Sequence, residues 1–257
     1  MSTSIGTKIN QLIKDWPQNT VATSVWLHNY GVDKNLINRY VKSGWLVRVG
    51  NGAFIKPGDK LEWLAAVHAI QSQLKLEVHV GGETALELDG LYDQVPQANG
   101  QSVYIYGPKG LKLPQWFKNA KFKVLPVFSK IELFSKEPIQ TYSEIKFSSY
   151  GVKVSSRERA ILELLSDVPQ KKDIASVFNL FHQLSTLRPK VVQSHLENCE
   201  SVKVKRLFLY IARETHQPWL PEINRTKINL GKGKRVVVKG GRFDQEFQIT
   251  VPEIVGG

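Results

Sequence analysis

Cysteine occurs once in this chain of 257 residues, at Cys199, and methionine once, at the first position. A single thiol excludes an intrachain disulfide framework and any thiolate-based metal site. Histidine is thinly spread: His28, His68, His79, His182, His195 and His216 include no pair at the spacing of a zinc site. Nucleophile elbows, phosphate-binding glycine loops and H-E-x-x-H helices are missing as well. No apolar run approaches the roughly 20 residues of a membrane span. The N-terminal segment MSTSIGTKINQLIKDW lacks the apolar core of a secretory signal. These absences lead to the expectation of a cytoplasmic protein with no cofactor, no metal and no membrane partner. Negative charge is also in short supply. Asp and Glu number 23 against 35 Lys and Arg, giving a net charge of +12 and a pI near 9.6. Such an imbalance points to a polyanionic partner, with nucleic acid first.

What is present is enough for a core. Hydrophobic residues make up 42% of the chain, and Trp, Phe and Tyr recur throughout, so one or two folded domains are expected. The positive charge is unevenly placed. Residues 61–160 are close to neutral, whereas the stretch Tyr30–Lys60 and the C-terminal stretch Ser201–Asp244 carry the excess.

The stretch Asp33–Lys56, DKNLINRYVKSGWLVRVGNGAFIK, reads as helix, strand, glycine turn and strand. Asp33 is a suitable N-cap, and Gly44 stands where a helix ends in the left-handed conformation. Leu36, Ile37, Tyr40 and Val41 share one helical face, and Asn35, Asn38, Arg39 and Lys42 the opposite one. Amides and guanidinium groups read base edges, while ammonium groups grip phosphates. Gly50-Asn51-Gly52 then joins two strands as a hairpin. Upstream, Ile9, Leu12, Ile13 and Trp16 form one face of a first helix that Pro17 stops. Thr23 or Ser24 caps a short second helix that ends at Gly31. The pattern is that of a winged helix-turn-helix over residues 1–58. The expected DNA-binding residues are Ser24 at the second helix, Lys34, Asn35, Asn38, Arg39 and Lys42 on the third, and Arg48, Asn51 and Lys56 on the wing. Arg39 and the two asparagines would face the major groove, with Lys42, Arg48 and Lys56 meeting phosphates. Trp26, Leu36, Ile37, Val41 and Phe54 are expected to be buried.

Residues 59–257 read as a mixed α+β region with a possible internal division near Ser155. Leu61–Leu74 is a helix with Trp63, Val67, Ile70 and Leu74 in one stripe. Glu77–Val80 is a strand that turns through Gly81-Gly82 into a helix over residues 83–88. Pro96–Gln101 is a polar loop. Ser102–Tyr106 and Phe122–Pro126 are strands, with Gly107-Pro108-Lys109-Gly110 as a turn between them. From Ser155 the pattern is helical, with Ser155 and Glu158 at capping-box spacing, followed by helices over 173–184, 189–199 and 202–214. Short strands at 236–238 and 247–251 close the chain.

Three segments in this order resemble the AbiEi antitoxins of type IV toxin–antitoxin systems. They are YVKSGWLVRVGNGAFIKPGD, GGETALELDGL and VSSRERAILELL, the last carrying Ser155, Glu158, Arg159 and Ala160 of a Ser-x-x-Glu-Arg-Ala pattern. Arg157 stands where that family commonly has proline. The resemblance implies a non-enzymatic, bifunctional protein. Its N-terminal domain would bind inverted repeats in its own promoter on double-stranded DNA and repress it. Its C-terminal domain would counter a nucleotidyltransferase-type toxin without forming a tight complex. The basic stretch Lys203, Lys205, Arg206, Arg213, Arg225, Lys227, Lys232, Lys234 and Arg235 is then a second nucleic-acid surface, a competitor for the toxin's RNA or nucleotide, or a solvated face. Two alternatives differ in kind. Asp244 and Glu246, on one face of a strand after Lys239, would suit a DNA-targeted metal-dependent nuclease. A stand-alone winged-helix regulator with a ligand-sensing C-terminal domain is the other.

Overall fold

The computed structural model describes residues 3–91 and 100–252, with side chains described from residue 8 onward. The polar loop expected from Pro96 lies outside the described residues as far as Asn99. The chain opens with α1 (Thr3–Asp15), β1 (Ala22–Thr23), α2 (Ser24–Asn29), α3 (Lys34–Lys42), β2 (Val47–Gly50) and β3 (Ala53–Ile55). The three strands form an antiparallel sheet in the order β1-β3-β2, with Ala22 opposite Phe54 and Arg48 opposite Phe54 on its other side. β1 is absent from the sequence reading, since two residues are too short to display a period of two. Leu12, Trp16, Leu27, Leu36, Ile37 and Phe54 are buried together in the centre of this winged helix-turn-helix. Filling it with a side chain the size of Phe54 contributes about 1.5–3 kcal/mol.

The chain continues through α4 (Trp63–Ser72), β4 (His79–Val80), α5 (Gly82–Leu88), β5 (Ser102–Gly107), α6 (Gln115–Asn119), β6 (Leu125–Lys130), β7 (Tyr142–Lys146) and β8 (Gly151–Ser155). A five-stranded sheet has the order β6-β5-β4-β8-β7. β5 and β6 are parallel, paired from Ser102 with Leu125 to Gly107 with Lys130. The expected turn at Gly107–Gly110 therefore corrects to the start of a crossover through α6, because two parallel strands cannot be joined by a tight turn. The second of these strands begins at Leu125 rather than Phe122. Four helices follow, α7 (Arg157–Ser166), α8 (Ile174–Phe181), α9 (Pro189–Asn198) and α10 (Val202–Glu214), then β9 (Arg235–Val236), β10 (Arg242–Asp244) and β11 (Ile249–Val251) in the order β10-β11-β9.

Two compact units arise. One comprises residues 1–79, 96–130 and 144–153, the other residues 80–95, 131–143 and 154–257. In the first, the α4 residues Val67 and Ile70 are buried as the stripe requires, while Trp63 is half-buried and Leu74 lies beyond the helix end. The Gln71 amide donates to the carbonyls of Val78 and Lys153 and accepts from the Lys153 N–H, which ties α4 to two extended segments. In the second, α10 is buried along most of its length, with Phe208 edge-on to Phe181 at 5.5 Å. Among the described residues no helix is long and apolar enough to cross a membrane.

Candidate nucleic-acid interface

The third helix is fixed at both ends by its own residues. The Asp33 carboxylate accepts from the Leu36 N–H at 2.8 Å and so caps the first turn. At the other end the Gly44 N–H donates to the Val41 carbonyl and the Trp45 N–H to the Tyr40 carbonyl, with Gly44 at φ 74°. These two bonds close a Schellman motif, which places the positive φ where glycine alone pays no Cβ penalty. α2 ends in the same way: Gly31, at φ 81°, donates to His28, and Val32 donates to Leu27. Thr23, not Ser24, caps its start, accepting from the Trp26 N–H at 3.2 Å. The glycine end of α2 and the Asp33 cap of α3 together set the turn between the two helices in four residues, Tyr30 to Asp33.

Leu36, Ile37 and Tyr40 turn into the core, and Lys34, Asn35, Asn38, Arg39 and Lys42 are exposed on the other face. Of the residues expected to be buried, Trp26 and Val41 are only half-buried, at the margin of the core. The margin position follows from the helical wheel, since each lies next to the polar face.

The wing is bound to the helices at three points. Arg48 Nη2 donates to Asn38 Oδ1 at 3.3 Å, and the same guanidinium lies 4.9 Å from the centroid of the Phe54 ring. The buried ring thus supports the cation that reaches across to α3. At the tip, the Ser24 N–H donates to the Gly52 carbonyl at 2.8 Å, and Gly52 takes φ 87° with Asn51 exposed beside it. Behind the wing, a Cβ on Gly50 would stand 2.8 Å from Trp116 Cβ and 3.1 Å from its Cα, so α6 backs the turn at a distance that only glycine allows. Ser24, Lys34, Asn38, Arg48 and Asn51 all line one cleft of about 450 Å³ between α2, α3 and the wing.

Lys56 is a correction. Its side chain is buried and its ammonium donates to the Trp16 carbonyl at 2.7 Å. That carbonyl follows the C-terminus of α1, where unpaired carbonyls and the helix dipole favour a cation. Lys56 therefore fastens β3 to α1 and is not placed to meet a phosphate.

The C-terminal basic stretch also changes meaning. Arg206 is buried and donates to the carbonyls of Leu230, Gly231, Gly233 and Gln248. Lys205 is buried, and Lys203 donates to the carbonyls of Ser166 and Val168. Arg213 pairs with Asp244, Glu246 and Glu214, and Arg225 with Glu246. Burial alone would raise the Glu246 carboxyl pKa, but its bonds to Arg213 and Arg225 outweigh burial and hold it below the usual carboxylate range. Asp244 also accepts from the Phe247 N–H at 2.8 Å. The carboxylate pair considered for a nuclease is thus engaged by two guanidinium groups and a backbone amide, and it gives that alternative no support. Lys227, Lys232 and Lys234 stay exposed and Arg235 half-exposed.

The Ser-x-x-Glu-Arg-Ala motif forms an internal lock. The cap of α7 is Ser156, accepting from the Arg159 N–H at 3.3 Å, rather than Ser155. The Ser155 hydroxyl instead donates to Glu163 Oε2 at 2.8 Å, which also accepts from the Gly82 N–H at 3.0 Å. Arg159 donates to Glu163 and Glu137, each at 2.6 Å, and its guanidinium lies between the rings of Phe134 and Tyr142 at 4.9 and 4.6 Å. Glu158 receives both a side-chain fork and the backbone N–H of Arg188. Burial works to raise its pKa, and those bonds overcome it and leave the carboxyl below its ordinary value. Arg157 is the first residue of α7, a position whose N–H needs no helical partner and therefore admits proline. Here the arginine bonds Asp89 and Thr186 instead.

Sequence reasoning missed Val25. It is 48% exposed and lines the same cleft as the candidate contacts. The signal was available: Val25 shares a helical face with His28 and Asn29, the polar side of α2.

Two family models match the chain. Residues 6–97 match the N-terminal domain described as "Transcriptional regulator, AbiEi antitoxin N-terminal domain". Residues 100–252 match "Transcriptional regulator, AbiEi antitoxin, Type IV TA system". No curated protein matches the chain at a significant level. Among solved structures, the RV2827C protein from Mycobacterium tuberculosis is similar in fold, with a TM-score of 0.63 and 16% sequence identity over 98% of this chain and 92% of that one. With both parts of the sequence matched, the chain belongs to the AbiEi antitoxin family of transcriptional regulators of type IV toxin–antitoxin systems.

Proposed function

We propose that this AbiEi protein represses its own promoter by binding inverted repeats through residues 1–58. α3 lies in the major groove and the wing meets the flanking backbone. The observation that carries the reading is the face of α3. Asn35, Asn38, Arg39 and Lys42 are exposed on a helix capped at both ends, and Arg48 joins Asn38 to the wing across a supporting Phe54 ring. Because the backbone is already ordered, the side chains reach base edges without a large ordering cost. Asn35 and Asn38 suit adenine, and Arg39 suits guanine. Lys34, Lys42 and Arg48 supply phosphate contacts, Ser24 and Asn51 are the polar groups at the cleft mouth, and Lys56 plays no part.

Footprinting on the DNA upstream of its own coding sequence tests this. Arg39→Ala is expected to weaken the protected site by about 1–3 kcal/mol and relax preference at one base position. Unchanged affinity and unchanged preference would remove α3 from the interface.

The second half of the proposal is antitoxic. Residues 59–257 counter a nucleotidyltransferase-type toxin without a tight complex, a reading supported by the antitoxin family model that matches residues 100–252. Co-expressing the toxin of the neighbouring reading frame with a chain lacking residues 1–58 tests it. Protection is expected, and loss of protection by a chain that remains folded would break the division of labour.

A further inference from the structure

The cleft between α2, α3 and the wing has an apolar floor where a DNA-reading surface is usually polar. Val32, Ile37 and Phe54 form that floor, and Val25 stands at its side with about half its surface open to solvent. Val25 and this floor give the cleft a largely apolar wall, whose burial on binding is favourable. The rim carries Lys34 and Arg48, and no carboxylate lines the cleft among the described residues. An anionic partner with an apolar projection is the complement of that arrangement. Double-stranded DNA has one such projection in its major groove, the 5-methyl group of thymine, which identifies a base by apolar contact alone.

We propose that Val25 is a specificity-determining residue that receives a thymine methyl at the cleft mouth while α3 reads neighbouring bases. The inference rests on the DNA-binding reading above and adds a base contact from α2. Three features place Val25 for the task. It is the second residue of α2, whose start is fixed by the Thr23 cap. The preceding Ser24 N–H is bonded to the Gly52 carbonyl, so the α2 start and the wing tip are held together. Across the cleft, Asn38 is held by Arg48. The methyl therefore meets a wall whose parts are already in position.

The test uses a duplex selected by the protein from a random DNA pool. Each thymine in that duplex is replaced singly by deoxyuridine, which removes the methyl and leaves every hydrogen-bonding edge intact. Binding is measured by fluorescence anisotropy for the parent protein, for Val25→Thr, which keeps the shape but exchanges one methyl for a hydroxyl, and for Val25→Ala. At one thymine of each half-site the parent is expected to lose about fourfold in affinity, the worth of one buried methyl-sized group. Both variants are expected to lose less than twofold there, with thermal melts like the parent's because the side chain is exposed. If every deoxyuridine substitution is tolerated by the parent, or if the variants lose as much as the parent, Val25 reads no methyl. If the protein selects no sequence at all, the DNA-binding reading falls, and this inference falls with it.

Discussion

The basic residues of α3 and the wing and the arginines of the C-terminal stretch are similar in charge and opposite in use. On α3 and the wing, Lys34, Arg39, Lys42 and Arg48 are exposed. In the C-terminal stretch, Arg206 is surrounded by four backbone carbonyls, and Arg213 and Arg225 are held by carboxylates. A count of positive charge treats the two alike. What separates them is where the hydrogen-bonding capacity of the cation is spent. A guanidinium whose donors already meet protein oxygens stabilises the fold and has little left for phosphate. The lesson reaches into the winged helix itself, where Lys56 falls on the structural side although its neighbours in sequence do not.

The strongest way to break this contrast is to remove a structural arginine. Arg159→Met removes a buried guanidinium that donates to both Glu163 and Glu137, and a loss of about 3–5 kcal/mol in unfolding free energy is expected. Denaturant titration measures it, and a loss below about 1 kcal/mol would show that the Arg159 pairing contributes little to the stability of this unit.

Arg206→Met sharpens the same point within the C-terminal stretch. Four carbonyls lose a donor, so a cost of about 1–3 kcal/mol in stability is expected. The slope of DNA affinity against salt should stay as in the parent. A flattened slope would make the C-terminal stretch a nucleic-acid surface after all.

On the other side of the comparison, Lys42→Ala should lower the log–log salt slope by about 0.9 with no change in unfolding, if the ammonium meets one phosphate. Lys56→Met should do the reverse, leaving the slope alone and lowering the melting temperature. Salt titrations of both variants against one duplex decide between them, and equal slopes for the two would erase the distinction.

The smallest effect concerns pH. Glu158 is held below its ordinary pKa by Arg188, so the stability it adds is complete above the unfolded value of about 4.3 and is lost as pH falls through the folded one. Glu158→Gln should therefore be less stable than the parent at neutral pH, and the two should converge as the solution is acidified below about pH 4. Parallel melting curves from pH 7 to pH 3 check this, and a constant gap would mean that Arg188 does not hold the carboxylate.

The parts legible in the sequence are those in which neighbours along the chain decide the structure. Asp33 and Gly44 bound α3 because a cap and a C-terminal turn are made by residues within one helical turn of each other. The four helices of the C-terminal region were legible for a similar reason, through strong apolar periodicity and local stops. β1 and β7 were not. β1 is two residues long, and β7 has polar residues at most positions, so neither offers a pattern to read. The parallel partner of β5 was hidden by a glycine-rich segment that looks like a hairpin turn. Whether two strands run parallel depends on the whole crossover between them, here through α6, and not on the few residues at its start.

From the sequence alone, then, come the winged helix-turn-helix, the exposed face of α3, the order of the family segments and the excess of positive charge, since each depends on local spacing or on composition. Tertiary structure alone decides the rest. It buries Lys56 under the end of α1, commits the donors of Arg206 and Arg213 to oxygens of their own unit and brings Trp116 up to Gly50. It opens Val25 to a cleft whose other wall comes from a hairpin more than 20 residues away. These are questions of which atoms meet in space, and a buried donor takes whichever oxygen the fold presents to it, however far off in the chain that oxygen lies.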